Sequence, residues 1–256
     1  MKCTGWLVTA IASVISCILL FSGFVMSIGE VTRPPASDWQ SLDTGDRKVP
    51  LDVGAFSLVA LGDSLTRGTG DDSGKGYVGV LKEAFEKRHD RVIVHNFGVQ
   101  GATLSDLLKQ IEEREVKRTI AGASVITVSI GGNDLFRGGR SLQNFDPEGL
   151  SSIQTAAVQN IDKLFAGIRS VNQEAPVVYV GLYNPFPEWR DANLYAKVVH
   201  DWNYQVSLMA SQYDNVVVAP TFDIIRDPET DLYSDHFHPN GKSYQHIARR
   251  ILEGLP

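Results

Sequence analysis

Five short runs rich in β-branched residues recur along the chain, at 56–61 (FSLVAL), 92–97 (VIVHNF), 125–130 (VITVSI), 177–182 (VVYVGL) and 216–219 (VVVA). Four of the five are nearly continuous apolar runs. A strand reads that way when both of its faces are covered, because neither side turns toward water. Amphipathic stripes at helical spacing fall between and after them: Leu104, Leu107, Leu108 and Ile111; Ile153, Ala157, Ile161, Leu164 and Ile168; Tyr195, Val199, Trp202, Val206 and Met209; Tyr244, Ile247, Ala248, Ile251 and Leu252. Such alternation predicts a parallel sheet with helices packed on both faces.

The implied fold class is α/β, a three-layer α/β/α sandwich around a five-stranded parallel, flavodoxin-like sheet. It is assigned to residues 54–256. Ahead of it, residues 30–53 hold Pro34, Pro35 and Pro50 with no apolar periodicity and read as a linker. Residues 6–28 carry no charge and are mostly apolar, between Lys2 and Glu30. A bilayer-crossing helix needs about 20 such residues. Residues 1–29 are therefore expected to be a transmembrane anchor or a signal segment. The run is longer than the ~7–15 apolar residues of a cleaved signal peptide, and Ser27-Ile28-Gly29 keeps cleavage open as the second reading. Cys17 loosely resembles a lipid-modified cysteine, but the apolar run continues past it. Lys2 on the near flank places the domain outside the cytoplasm.

That division sharpens the composition. The whole chain has 24 basic and 30 acidic residues, a net charge of −6, and mean hydropathy −0.09. Without residues 1–29 it loses only Lys2, so 23 basic face 30 acidic residues, a net −7. A net acidic domain with no basic tract is not a nucleic-acid binder. Both cysteines, Cys3 and Cys17, precede residue 30, so the domain needs no disulfide and has no cysteine for zinc.

In an open parallel sheet, ligands bind beyond the carboxyl ends of the strands. The segments found there are Gly62-Asp63-Ser64-Leu65, Gly98 to Gly101 after Asn96, Gly131-Gly132-Asn133-Asp134, Tyr183 to Trp189, and Asp235-His236-Phe237-His238-Pro239-Asn240. Together they supply a serine, an imidazole, a carboxylate and hydrogen-bond donors, the inventory of acyl transfer through serine. A serine hydroxyl needs a base, and neutral imidazole is the natural one near pH 7. Asp235 and His238, three apart, suit an Asp–His pair. The same residues with His236 could hold a metal, but the other histidines join no ligand motif, and no metal or cofactor is expected. Residues 68–76 fail the phosphate-loop pattern at Thr69 and Gly76 and read as a mobile loop. The charged run 112–118 reads as a solvated helix face.

These blocks resemble the SGNH/GDSL family of lipases and acylhydrolases over roughly residues 56–255. The matching segments are ALGDSLTRG around Ser64, Asn96-Phe97-Gly98, the G-x-N-D of Gly131-Gly132-Asn133-Asp134, and Asp235-x-x-His238 followed by Pro239-Asn240. His236 departs from the family's usual small or polar residue. The resemblance implies Ser64 as nucleophile, His238 as base and Asp235 as its orienter. It also implies an oxyanion hole of the Ser64 and Gly98 N–H groups with the Asn133 amide. Phe136, Phe186 and Trp189 are candidate substrate-pocket residues. The expected activity is cleavage of small-molecule or lipid carboxylic esters. Deacetylation of a carbohydrate, or a non-catalytic envelope-binding module of the same fold, are the alternatives. Oligomeric state is not legible.

Overall fold

The computed structural model describes residues 54–136, 147–187 and 192–255, with the isolated Ser16. For residues 147–156 it describes the backbone alone. The expected membrane segment (1–29, apart from Ser16), the whole of the linker (30–53) and Trp189 lie outside the described residues. Among the described residues no helix is long and apolar enough to cross a membrane.

The strands are β1 (Phe56–Gly62), β2 (Val92–Gly98), β3 (Val125–Ser129), β4 (Val177–Val180) and β5 (Val216–Ala219). All pair in parallel in the order β2-β1-β3-β4-β5, the flavodoxin-like order expected from the sequence. The three central strands β1, β3 and β4 are buried along most or all of their length. The edges β2 and β5 are partly exposed, and β2 is the run that His95 and Asn96 interrupt.

Successive residues of β1 face opposite layers, as the strand period demands. Val59 and Leu61 join a core with α3 (Leu104–Gln110), α4 (Arg114–Ala121), α5 (Gly132–Phe136), α6 (Pro147–Val171) and α7 (Ala192–Ala210). Leu58 and Ala60 join a second core with α1 (Ser64–Arg67), α2 (Gly76–Phe85) and α9 (Gly241–Glu253); a short α8 (Pro228–Asp231) lies between β5 and α9. All four expected helical stripes lie on these helices. Helix α2 was not expected: its Tyr77, Val78, Leu81 and Phe85 are buried, but Gly76 and Gly79 dilute the pattern.

The strand order reverses between β1 and β3, with β2 on one side of β1 and β3 to β5 on the other, and register brings their ends level: Gly62 faces Ser129 on one side and Gly98 on the other. Gly62 has φ +142°, and a Cβ there would lie 2.0 Å from the Ser129 carbonyl oxygen. No side chain fits between these strands at the point where the first functional loop departs. Gly62→Ala is therefore expected to lower Tm by about 10 °C or more, or to prevent folding, since strain of ~1–3 kcal/mol adds to a backbone clash. Gly74, also at positive φ but with open space around its Cβ position, is the control. Gly74→Ala should cost only ~1–2 kcal/mol, or roughly 2–8 °C. Thermal melts followed by circular dichroism compare the two.

Candidate active site

Ser64 is the first residue of α1, directly after the Gly62 turn. The turn is held by Asp63, whose N–H donates to the Ser129 carbonyl (3.0 Å). The Asp63 carboxylate caps α1 by accepting the Leu65 N–H (3.0 Å) and also accepts from the Ser129 hydroxyl (3.0 Å). Burial pushes the Asp63 carboxyl up to about 6, against the pull of those hydrogen bonds. Asp63 thus braces the turn that presents Ser64.

The last functional loop meets that serine from the other end of the chain. His238 Nε2 lies 2.8 Å from Ser64 Oγ, and His238 Nδ1 lies 2.5 Å from Asp235 Oδ2. Asp235 Oδ1 accepts the N–H groups of Phe237 (3.0 Å) and His238 (2.9 Å), a local turn that four residues suffice to make. Partial burial works to raise the Asp235 carboxyl. The His238 ring and the two N–H donors outweigh it and hold the carboxyl below its usual range. An ionised Asp235 fixes the proton on Nδ1 and leaves Nε2 to accept from the serine hydroxyl. His236 takes positive φ (52°) and turns to the surface, its Nδ1 3.9 Å from Glu229. It is not part of the constellation.

Two adjacent bonds tie the loop after β3 to the loop after β2. Asn133 Nδ2 donates to the Ala102 carbonyl (2.9 Å), and both Asp134 oxygens accept the Leu104 N–H (3.0 and 3.2 Å). Burial pushes Asp134 up to about 6. An amide NH₂ has two protons, so the Ala102 contact fixes the Asn133 plane and leaves one N–H for the cleft that Asn133 lines with Ser64 and His238.

Gly98 does not take the place expected of it. Its N–H donates to Asn96 Oδ1 (2.9 Å), a side-chain turn two residues long, and Gly98 does not line the cleft. A Cβ on Gly98 would sit 2.5 Å from the Arg67 nitrogen, so the glycine serves close packing against α1. The N–H groups of this loop without a partner among the described residues are those of Gln100 and Gly101. Gly101 adjoins the Ala102 carbonyl held by Asn133. The Ser64 N–H, at the start of α1, is likewise unpaired among the described residues.

Of the expected pocket residues, Phe136 lines the cleft. Phe186 is packed behind it, nearly perpendicular at 5.9 Å between ring centroids, and does not face the cleft. Tyr183 and Phe237 line the cleft and were not singled out by sequence. The Tyr183 hydroxyl donates to the Phe237 carbonyl (2.8 Å), steadying the loop that carries His238.

The segment 68–76, expected to be mobile, is pinned instead. Both Asp71 carboxylate oxygens accept bonds from within the loop, from Ser73 and the Gly76 N–H, and Tyr244 on α9 donates its hydroxyl to the Thr69 carbonyl (2.6 Å). Gly70, at φ +95°, lies against the loop that carries His238: a Cβ there would be 2.6 Å from the Pro239 carbonyl oxygen and 2.9 Å from His238 Cβ. Its only sequence signal is a glycine beside acidic residues, which gives no hint of a contact 168 positions away.

A model of the GDSL-like Lipase/Acylhydrolase family matches residues 60–246. Among curated proteins, the uncharacterized protein YpmR of Bacillus subtilis (strain 168) is 35% identical over 213 residues, covering 78% of this chain and 83% of that protein. Spore germination lipase LipC of Bacillus licheniformis is 27% identical, covering 77% of this chain and 94% of its own. Among solved structures, the lipase Lip_vut3 from a goat rumen metagenome superimposes with TM-score 0.70 at 24% identity, over 78% of this chain and 97% of that one. The family model spans well over half of the sequence, and the chain belongs to the GDSL-like lipase/acylhydrolase family.

Proposed function

We propose that this protein is an exported serine esterase that cleaves carboxylic esters through an acyl-serine intermediate. The observation that carries the reading is the continuous line from Asp235 Oδ2 through both His238 nitrogens to Ser64 Oγ, with links of 2.5 and 2.8 Å. Ser64 Oγ attacks the ester carbonyl while His238 Nε2 takes its proton, and Asp235 stabilises the imidazolium through Nδ1. The carbonyl oxygen becomes an oxyanion, met by the Ser64 N–H, the free Asn133 amide N–H and the Gly101 N–H. On collapse, the bond to the alcohol oxygen breaks and His238 returns its proton to that oxygen. A water then repeats the attack on the acyl-serine and releases the acid. The apolar run at residues 6–28 supports a membrane-tethered enzyme with its domain outside the cytoplasm.

Three outcomes check this reading with p-nitrophenyl acetate and butyrate as substrates. Ser64→Ala and His238→Ala should each lose turnover by about 10⁴-fold or more, whereas His236→Ala should keep it within a few-fold. Equal rates for wild type and Ser64→Ala would favour the binding-module alternative. Asn133→Ala should lower kcat by about 10²–10³, the usual effect of losing one oxyanion donor; full turnover from a folded variant would remove that assignment. Gly70→Ala pushes on His238 and Pro239 together, and a misplacement near 1 Å costs about 10² in rate. We expect kcat to fall on that scale while the protein still melts cooperatively; unchanged kcat would show that the 68–76 loop does not position the base.

A further inference from the structure

The cleft beside Ser64 limits what it can accept. It is open to solvent on one side and offers about 40 Å³ of space, and its apolar wall is built from Leu65, Phe136, Leu182, Pro185 and Phe237. That is small beside the roughly 300–1,000 Å³ of clefts that take drug-sized ligands, so the room beside the serine suits a short acyl group. One of the lining residues is Phe136, which is 3% exposed. Phe136 follows Asn133 by three positions on α5, so the two side chains share a face of that helix, and both line the cleft with Ser64. An acyl group whose carbonyl oxygen points at Asn133 lies in the space that this ring borders.

The ring has nowhere to retreat. Phe136 packs edge-on against Phe186 (5.9 Å, 83°) and Tyr195 (6.3 Å, 66°), and those two rings meet at 5.4 Å. Phe186 also touches Phe237 across 6.0 Å, which links the back of the wall to the residue beside His238. Phe186 and Tyr195 are themselves buried and belong to the main core. Moving the Phe136 ring aside would disturb a close-packed aromatic cluster, not a surface side chain.

We infer that the enzyme is selective for short acyl groups, acetyl to propionyl, and that Phe136, buttressed by Phe186 and Tyr195, is the residue that sets the limit. The inference rests on the reading of Ser64 as nucleophile and adds the substrate class. The alcohol half of the ester is left to solvent, where its size is not restricted by this wall.

The test is kcat/KM for p-nitrophenyl acetate, butyrate and octanoate, measured on wild type, Phe136→Ala, Phe136→Leu and Ser64→Ala. A methylene that a pocket cannot house costs about 10-fold or more, so wild type should favour acetate over octanoate by at least ~10². Phe136→Ala should raise the octanoate-to-acetate ratio by about 10-fold or more, and Phe136→Leu by less. The ratio is unaffected by the fraction of enzyme that is folded, and Phe136→Leu keeps the test alive should the alanine variant not fold. Wild type that hydrolyses octanoate as fast as acetate overturns the inference while leaving Ser64 in place as nucleophile. An unmoved ratio in both folded variants overturns the role of Phe136. Absence of any Ser64-dependent hydrolysis removes the esterase reading, and this inference with it.

Discussion

Between the ends of β1 and β3 lies a buried polar knot on which the placement of Ser64 depends. The Ser129 hydroxyl contacts Asp63 at 3.0 Å and the Thr66 hydroxyl at 2.7 Å, and it accepts the Thr66 N–H at 3.1 Å. Thr66 in turn reaches the Leu61 carbonyl and the Tyr77 hydroxyl. This network fastens the first turn of α1 to two strands and to α2 at once. In a low-dielectric interior each such bond is stronger than in water, and each missing partner is costlier. A four-residue helix has almost no stability of its own; here its first turn is fixed by tertiary hydrogen bonds. Ser64 inherits that rigidity because it lies between Asp63 and Thr66, both members of the knot.

Asp63 and Asp235 show how one site pushes the proton affinities of two carboxyl groups in opposite directions. Asp63 is wholly buried and burial raises it to about 6, so its proton is held more tightly folded than unfolded. The sign follows: this group's contribution to stability is most favourable near pH 4 and below, and declines as pH rises through 6. Asp235 is partly open to solvent, its hydrogen-bond donors hold it below its usual range, and its contribution is lost only as pH falls through that lowered value. The carboxyl that faces the His238 ring is therefore the one that stays charged, which is what an imidazolium partner needs. The carboxyl next to Ser64 in sequence holds its proton more tightly than usual, and its work is to brace the turn.

Much of this was legible in the chain. Continuous apolar runs marked the strands because parallel strands hide both faces, and helical stripes marked the layers. Ser64, Asp235 and His238 stood out because their chemistry needs those side chains at strand ends. Gly98 misled because a motif names a residue, whereas a donor is a direction: Asn96, two positions earlier, takes the Gly98 N–H. That Asn-x-Gly turn was itself readable. Phe186 misled in a related way, since an aromatic in a loop can face the cleft or back it, and only the packing against Phe136 and Tyr195 decides.

The segment 68–76 shows where one-dimensional reading stops. Its glycines and acidic residues match a solvated loop, and its stiffness comes from contacts far apart in sequence, such as the Tyr244 hydroxyl on the Thr69 carbonyl. Those contacts exist because α2 and α9 share the layer opposite the main core, so the loop leading into α2 lies beside the loop leading into α9. The first of these follows Ser64 and the second carries His238. Docking α9 on α2 thus sets the distance between Ser64 and His238, and Gly70 is glycine because any side chain there would widen it.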